Sequence, residues 1–212
     1  MLTIEYYLSV VSPWSYLGHR RFCDIAREHS AEILYLPIDS SILFAKTGGL
    51  ALKDRSPQRK RYRMQELRRW RSRLELELNL EPQYFPTDSN LASGVIIGAI
   101  EAGHDVAELV YELMRTVWVR EEDVSETSVV IGAIERSGGS VDDLLAAANH
   151  SNVQDIIIEN SEQAVSKGVF GVPSYVVGEE VFWGQDRLES VSYTHLRAHE
   201  TRHDLVCRLL LE

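Results

Sequence analysis

The chain has 212 residues and a formal net charge of −10. This length suits one sizeable domain or a domain with a large insertion, and the negative charge argues against a general nucleic-acid-binding protein. No apolar run is long enough to span a membrane, and the N-terminus lacks the basic start and apolar core of a signal peptide. The two cysteines, Cys23 and Cys207, give no disulfide framework, so we expect a cytoplasmic protein.

Residues 1–38 predict a strand, a helix and a second strand. The β-branched and aromatic side chains of Ile4–Val10 favour the first strand, and those of Ile33–Ile38 favour the second. A helix is predicted over residues 13–29, because Ser12 is a preferred N-cap and Pro13 fits the first helical position. Two strands joined by a helix imply a parallel pair.

Residues 39–167 carry almost only helix patterns. After a glycine loop at Gly48 and Gly49, helices are predicted over residues 57–78, 91–102, 106–118, 127–136, 141–148 and 153–167. The first of these is rich in arginine, and its apolar positions, including Tyr62 and Trp70, are expected to face the core. Two interpretations of the arginines stay open. They form a solvated face paired with Glu66, Glu75 and Glu77, or they attract an anion near a site.

After Gly168 the sequence pattern changes from one typical of helices to one typical of strands. Val172–Val177 and Val181–Trp183 predict two strands joined by a tight turn, which is a β-hairpin. Asp186 is expected to cap a short helix after the hairpin. This order of elements predicts an α/β fold.

Two motifs far apart in the chain carry a family resemblance. They are Ser12–Gly18 (SPWSYLG) and Gly168–Pro173 (GVFGVP). Together they resemble the DsbA-like branch of the thioredoxin folds, and more closely the 2-hydroxychromene-2-carboxylate isomerases, which are relatives of the kappa-class glutathione transferases. The supporting positions are Tyr62, Arg69, Trp70, Phe85, Pro86, Trp118 and residues 183–188.

The resemblance implies a thioredoxin-like fold with a large all-helical insertion. The domain is expected to cover residues 1–191, with a βαβ half at 1–38, the insertion at 39–167 and a ββα half at 168–191. It also implies a glutathione-dependent isomerase that catalyses a thiol-mediated cis/trans interconversion in aromatic catabolism. Glutathione is the expected cofactor, the expected substrate is a small aromatic molecule, and the family suggests a homodimer.

Ser12 is the predicted catalytic residue. Redox members of this fold carry Cys-x-x-Cys where this chain has Ser12 and Ser15, so dithiol exchange at the motif is excluded. A hydroxyl at a helix N-terminus still donates a hydrogen bond to a thiolate supplied by a ligand, which lowers the pKa of that thiol. The alternative is that Ser12 is only an N-cap. Cys23 lies inside the helix and is expected to be a small buried side chain.

The resemblance also assigns the rest of the site. Its predicted cofactor-binding residues are Ser12, Lys53, Val172, Pro173, Trp183, Gln185 and Asp186, and its predicted substrate pocket contains Trp14, Ser15, Tyr62 and Trp118. Pro173 matches a cis-proline of the family. Three simpler interpretations stay open: an ordinary trans proline at Pro173, a plain helix cap at Asp186 and a surface lysine at Lys53. No metal is expected.

The last segment, residues 192–212, does not fit the predicted final helix. His195, His199 and His203 are spaced four apart, which places them near one face of a helix, but we expect no metal site there. The stretch resembles translated sequencing-adapter read-through. The alternative is a genuine divergent helix built on Leu205, Leu209 and Leu210.

Two other functions remain open from the sequence. One is a kappa-like glutathione transferase that acts on other electrophiles. The other is a non-catalytic thioredoxin-like binding module in which Ser12 and Ser15 replace lost cysteines.

Overall fold

A computed structural model describes residues 2–148 and 152–192. Four strands form one mixed sheet in the order β2-β1-β3-β4. The first strand pairs in parallel with the second and antiparallel with the third, and the last two form a hairpin. The strands are β1 (Thr3–Leu8), β2 (Glu32–Pro37), β3 (Ser174–Val177) and β4 (Glu180–Trp183).

One helix connects the two parallel strands, and a long helical segment connects β2 to β3. The α-helices are α1 (Pro13–Glu28), α2 (Ser40–Thr47), α3 (Pro57–Leu74), α4 (Asn90–Glu101), α5 (Ala107–Trp118), α6 (Thr127–Arg136), α7 (Val141–Ala148), α8 (Val153–Ser166) and α9 (Leu188–Val191). Short 3₁₀ helices cover Leu52–Asp54 and Gln185–Arg187. The predicted α/β fold with a helical insertion is confirmed. The atypical tail lies outside the described residues, except for Ser192.

Successive side chains of β1 point to opposite faces of the sheet, and the two faces pack against different hydrophobic cores. Ile4, Tyr6 and Leu8 face the larger core, which α1, α4 and α5 cover, whereas Tyr7 faces a smaller core beneath α2 and α8. Both faces of the strand are therefore buried, as expected for a central strand beside a parallel partner. This packing fixes the end of β1, and with it the start of α1, against the rest of the domain.

Serine–proline pairs start the two helices that matter most for the site. The Ser12 side chain accepts a hydrogen bond from the Ser15 N–H, and the Ser56 side chain accepts one from the Arg59 N–H. Each pair combines an N-cap with a proline at the first helical position, where its missing N–H costs nothing. Both predicted starts are confirmed. Helix α3 ends earlier than predicted, because Glu75 adopts a left-handed conformation with φ of 53°.

The position of α1 depends on a close approach at Gly18. A methyl group there would lie 2.7 Å from Cβ of Gln185 and 2.8 Å from the Tyr175 hydroxyl oxygen. We expect Gly18→Ala to lower the free energy of unfolding by about 1–3 kcal/mol, because the added carbon overpacks this contact.

Gly132→Ala is the matched control in another helix. Its added carbon would meet only the guanidinium of Arg136, at 3.0 Å, which Glu112 and Glu122 hold in ion pairs. A small shift of that side chain relieves the contact and alanine has the higher helix propensity, so the free energy of unfolding should change by less than about 1 kcal/mol. Urea unfolding of both variants measures the difference. Equal stabilities would show that α1 is free to shift away from Gln185.

None of the described helices is both long enough and apolar enough to cross a bilayer.

Candidate functional site

Ser12 lies where β1 has ended and α1 begins. Its N–H donates to the carbonyl of Ser9 at 3.0 Å, which closes the turn between the two elements. Its side-chain oxygen is 3.2 Å from the Ser15 nitrogen and accepts that N–H, so the hydroxyl hydrogen remains free to donate. The residue is 9% exposed and faces a cavity. Capping and ligand binding are therefore compatible at Ser12.

The cavity has a volume of about 640 Å³, which is ample for a small-molecule ligand. It lies between the start of α1, the segment from α2 to α3, and the loop before β3. Much of its wall is aromatic, and the aromatic residues are Trp14, Phe44, Phe85, Phe170 and Trp183.

The loop before β3 forms the wall that contains Val172. The Val172–Pro173 peptide bond is cis, as the resemblance implied, so the trans alternative is wrong. Val172 lines the cavity, and neither its N–H nor its carbonyl has a hydrogen-bond partner within residues 2–148 and 152–192. These groups can pair with an extended peptide-like ligand in the manner of an added strand.

Two aromatic side chains stand at the rim beside Val172. The rings of Phe170 and Trp183 are 4.7 Å apart, and Trp183 remains 51% exposed. A large aromatic side chain with this exposure at a cavity rim is a typical ligand contact.

Three arginines, Arg55, Arg59 and Arg63, line another part of the wall. Arg59 and Arg63 are four residues apart on α3, and Arg55 precedes that helix. None of the three forms an ion pair with a carboxylate in the described part of the chain. Burial, reinforced by the nearby charge of Arg55, lowers the pKa of Arg63 to about 10. The cavity therefore holds concentrated positive charge.

This geometry separates the two interpretations of the arginine-rich helix. Arg69 pairs with Glu66 on the exposed side of α3, as the solvated-face interpretation requires, while Glu77 pairs with Arg115 of α5 instead. Arg59 and Arg63 line the cavity, and there the interpretation in which arginines attract an anion stays a prediction. The solvated-face interpretation applies to the exposed side of the helix.

Four of the predicted site residues line the cavity together. They are Ser12, Trp14, Val172 and Trp183. They come from two segments about 160 positions apart in the sequence, joined by the antiparallel pairing of β1 with β3. Their binding roles stay predictions.

The structure corrects the placement of the three other side chains predicted for the substrate pocket. Ser15 is fully buried, and its hydroxyl has no partner in the described residues. Trp118 is also fully buried and packs 4.9 Å from the ring of Phe85, so it lies behind a residue of the wall. Tyr62 is 60% exposed, and the prediction that it faces the core is wrong. Its neighbour Arg63 occupies the face of α3 that meets the cavity.

The other predicted cofactor-binding side chains also lie off the cavity wall. Gln185 is buried against α1 and accepts a hydrogen bond from Arg21 at 3.1 Å. Asp186 lies within a 3₁₀ helix, makes no capping hydrogen bond and is 3.7 Å from Arg187. Lys53 is exposed, although Leu52 and Arg55 on either side of it line the cavity. Pro173 is buried behind Val172, and its carbonyl accepts the Gly184 N–H.

No cysteine of residues 2–148 and 152–192 lines the cavity. Cys23 is half-buried inside α1, where its sulfur lies 3.4 Å from the Tyr35 hydroxyl. Burial raises the pKa of the Cys23 thiol, which keeps it in the unreactive protonated form.

Sequence reasoning missed Arg55 and Phe44, and it did not single out Arg63. The spacing of Arg59 and Arg63 was a usable signal, because like charges four apart on a helix destabilise it by a few tenths of a kcal/mol unless something compensates. No comparable signal marks Phe44, since an aromatic residue in a short helix is usually part of the core.

Comparisons with known proteins agree with this fold. A family model described as a DSBA-like thioredoxin domain matches residues 3–194. The chain is similar to a 2-hydroxychromene-2-carboxylate isomerase of Sphingobium xenophagum, with 29% identity over 189 residues that cover 88% of this chain and 94% of the relative. It is also similar to the human glutathione S-transferase kappa 1, with 26% identity and coverage of 90% of this chain and 89% of the relative.

A solved structure supports the same assignment of the fold. It is that of a 2-hydroxychromene-2-carboxylate isomerase, which aligns with 96% of this chain and 99% of its own length at a TM-score of 0.80 and 24% identity. Because the family model spans nearly the whole chain, this protein belongs to the DSBA-like thioredoxin domain family.

Proposed function

We propose that this protein is a glutathione-dependent isomerase of the 2-hydroxychromene-2-carboxylate type. The observation that carries the proposal is the Ser12 hydroxyl at the N-terminus of α1, on the wall of a cavity that no cysteine of the described residues lines. Its oxygen accepts the Ser15 N–H, which leaves its hydrogen available to a ligand. Relatives named as isomerases and as glutathione transferases support both the reaction and the cofactor.

The residues of the cavity fit glutathione. Bound there, glutathione would supply a thiol for reversible addition to a conjugated substrate. Ser12 would donate a hydrogen bond to the sulfur, and the partial positive charge of the helix N-terminus would favour the thiolate over the thiol. The N–H and carbonyl of Val172, which have no partner in the described part of the chain, would hold the peptide backbone of the cofactor.

The remaining wall positions the substrate. Trp14 and Phe85 offer flat apolar surfaces for an aromatic ring. Nothing is consumed in the isomerisation, because the thiol that adds to the substrate also leaves it.

Two assays test the proposal against its alternatives. Calorimetric titration with glutathione should show binding at one site per chain, and an absence of binding favours the non-catalytic module. An absorbance assay with 2-hydroxychromene-2-carboxylate should show conversion that depends on added glutathione. Glutathione binding without this conversion, together with conjugation of a general electrophile such as chlorodinitrobenzene, identifies a kappa-like transferase.

A further inference from the structure

Phe85 and Pro86 line the cavity from a segment that has no regular secondary structure. This segment, residues 75–89, connects α3 to α4, and its first part is fixed by hydrogen bonds from Asn79 to carbonyls at the end of α5. A long connection of this kind is held in place by few contacts. The contacts near Phe85 therefore decide where this part of the cavity wall lies.

One of these contacts is a hydrogen bond from the Thr87 hydroxyl to the Asp123 carboxylate. In the described part of the chain, no other hydrogen bond joins residues 80–88 to a part outside residues 80–90. Thr87 follows Phe85 by two positions, so this bond attaches the wall to the rest of the domain very close to the residue that a ligand would contact.

Asp123 is itself held firmly. The carboxylate oxygen that accepts from Thr87 also accepts from the N–H and the hydroxyl of Ser125, at 3.1 and 2.8 Å. The next side chain, Val124, is fully buried in the larger core. The hydrogen bond from Thr87, followed by those from Ser125, holds the pKa of Asp123 below its usual range, so the acceptor is charged at neutral pH. A charged acceptor forms the stronger kind of hydrogen bond.

The ring of Phe85 is supported separately from its backbone. Trp118 lies behind it, with the two ring centres 4.9 Å apart, and Trp118 is fully buried. Packing of this kind fills space, whereas a hydrogen bond has a preferred length and angle. Trp118 therefore backs the side chain, while the bond between Thr87 and Asp123 fixes the backbone that carries it.

From this arrangement we infer that Thr87 and Asp123 are positioning residues, which hold Phe85 in the wall and so set the affinity of the cavity for a planar aromatic ring. Neither residue lines the cavity. The inference rests on the proposed function only in identifying that ring as part of the substrate, because the attachment of the wall needs neither glutathione nor a reaction.

Hydrogen exchange measures the attachment itself. Thr87→Val keeps the shape of the side chain and removes its hydroxyl, so the amides of residues 80–88 should exchange about tenfold faster than in the wild type. Ser125→Ala is the matched control, because it removes a hydrogen bond to the same carboxylate oxygen but none from the wall, and it should leave these amides unchanged. Thr87→Ser restores the hydroxyl and should restore slow exchange.

Binding of coumarin, a neutral planar aromatic molecule, measures the consequence for the cavity. In calorimetric titrations without glutathione, Thr87→Val should bind coumarin about five- to tenfold more weakly than the wild type, while Thr87→Ser and Ser125→Ala should bind it as the wild type does. Equal coumarin affinities in the wild type and Thr87→Val would overturn the inference, and so would an equal loss in Ser125→Ala.

Steady-state kinetics separate positioning from a general loss of structure. With 2-hydroxychromene-2-carboxylate, Thr87→Val should raise KM by about five- to tenfold and change kcat by less than about twofold, since the lost interaction serves the bound substrate and the transition state alike. Glutathione affinity should stay the same, and a loss as large as that for coumarin would mean that the whole site is distorted and would overturn the inference. A wild-type chain that binds coumarin in the expected Thr87-dependent way but converts no hydroxychromene carboxylate refutes the proposed function alone.

Discussion

Replacing Ser12 by alanine should lower glutathione-dependent turnover by about 10- to 100-fold. A hydrogen bond to a charged group contributes about 1.5–3 kcal/mol, and each 1.36 kcal/mol corresponds to a factor of ten in rate. The same loss should raise the pKa of the bound thiol by about one to two units. The ultraviolet absorbance of the thiolate, followed over a pH titration of the glutathione complex, measures that shift separately from turnover.

Two controls separate chemistry from stability in this experiment. The alanine variant also loses the N-cap of α1, which costs about 0.5–2 kcal/mol of folding free energy, whereas glycine at an N-cap costs only a few tenths. Ser12→Gly should therefore be nearly as stable as the wild type and as inactive as Ser12→Ala. Ser15→Ala removes a buried hydroxyl of the same helix that has no partner among the described residues, and it should retain activity. Full activity in Ser12→Gly would show that Ser12 is only a cap.

The position of Ser12 could be predicted because every determinant is local. An N-cap serine, a proline at the first helical position and a preceding strand define the turn without any long-range contact. Val172 required the second motif, since its distance from Ser12 is set by the pairing of β1 with β3 and no local pattern contains that pairing. The family resemblance, and not the hydrophobic periodicity, indicated that Val172 lies near Ser12.

The cavity wall in the helical insertion was much less predictable. Tyr62 and Arg63 are adjacent, so they differ by about 100° of rotation around α3, and a small error in that rotation exchanges a wall residue for a solvent-exposed one. Hydrophobicity favoured Tyr62 as the buried residue, but the structure places Arg63 against the ring of Phe85. The prediction that Trp118 lines the pocket is wrong for a related reason. Composition alone cannot show that another aromatic residue lies between Trp118 and the cavity.

The fold was predictable in its order of elements and less so at their ends. Proline and serine mark helix starts strongly, and the starts of α1 and α3 were predicted correctly. The end of α3 depends on Glu75, a residue with no particular preference for the left-handed conformation that it adopts. Helix ends of this kind are decided by packing of the following segment.

Acid should destabilise the protein through His19. This side chain is 1% exposed, and its Nε2 donates to the Ala107 carbonyl at 2.8 Å. Its Nδ1 has no partner in the described part of the chain, and the surrounding rings belong to Tyr6, Tyr35 and Tyr111. Burial lowers the pKa of His19 to about 4, because the core offers nothing to solvate a second proton.

The sign of the effect follows from where the proton binds. Between pH 6.5 and 4, the unfolded chain takes up a proton at this histidine and the folded chain does not, so stability falls as the pH falls. The lowered pKa of His19 corresponds to a loss of about 3 kcal/mol in the free energy of unfolding on going from pH 7 to pH 4. Below about pH 4 the folded state is protonated as well, and this contribution becomes constant.

A variant that cannot titrate isolates this contribution from that of the carboxylates. His19→Gln keeps an N–H donor for the Ala107 carbonyl. The test compares how the free energy of unfolding changes with pH, so the variant's stability at pH 7 does not affect it. Urea unfolding of both proteins from pH 7 to pH 4 should show that the wild type loses about 3 kcal/mol more than the variant. Parallel curves would mean that water reaches His19 in the folded protein, and that the space beneath α1 is not the dry core that its packing with Tyr6 and Tyr111 indicates.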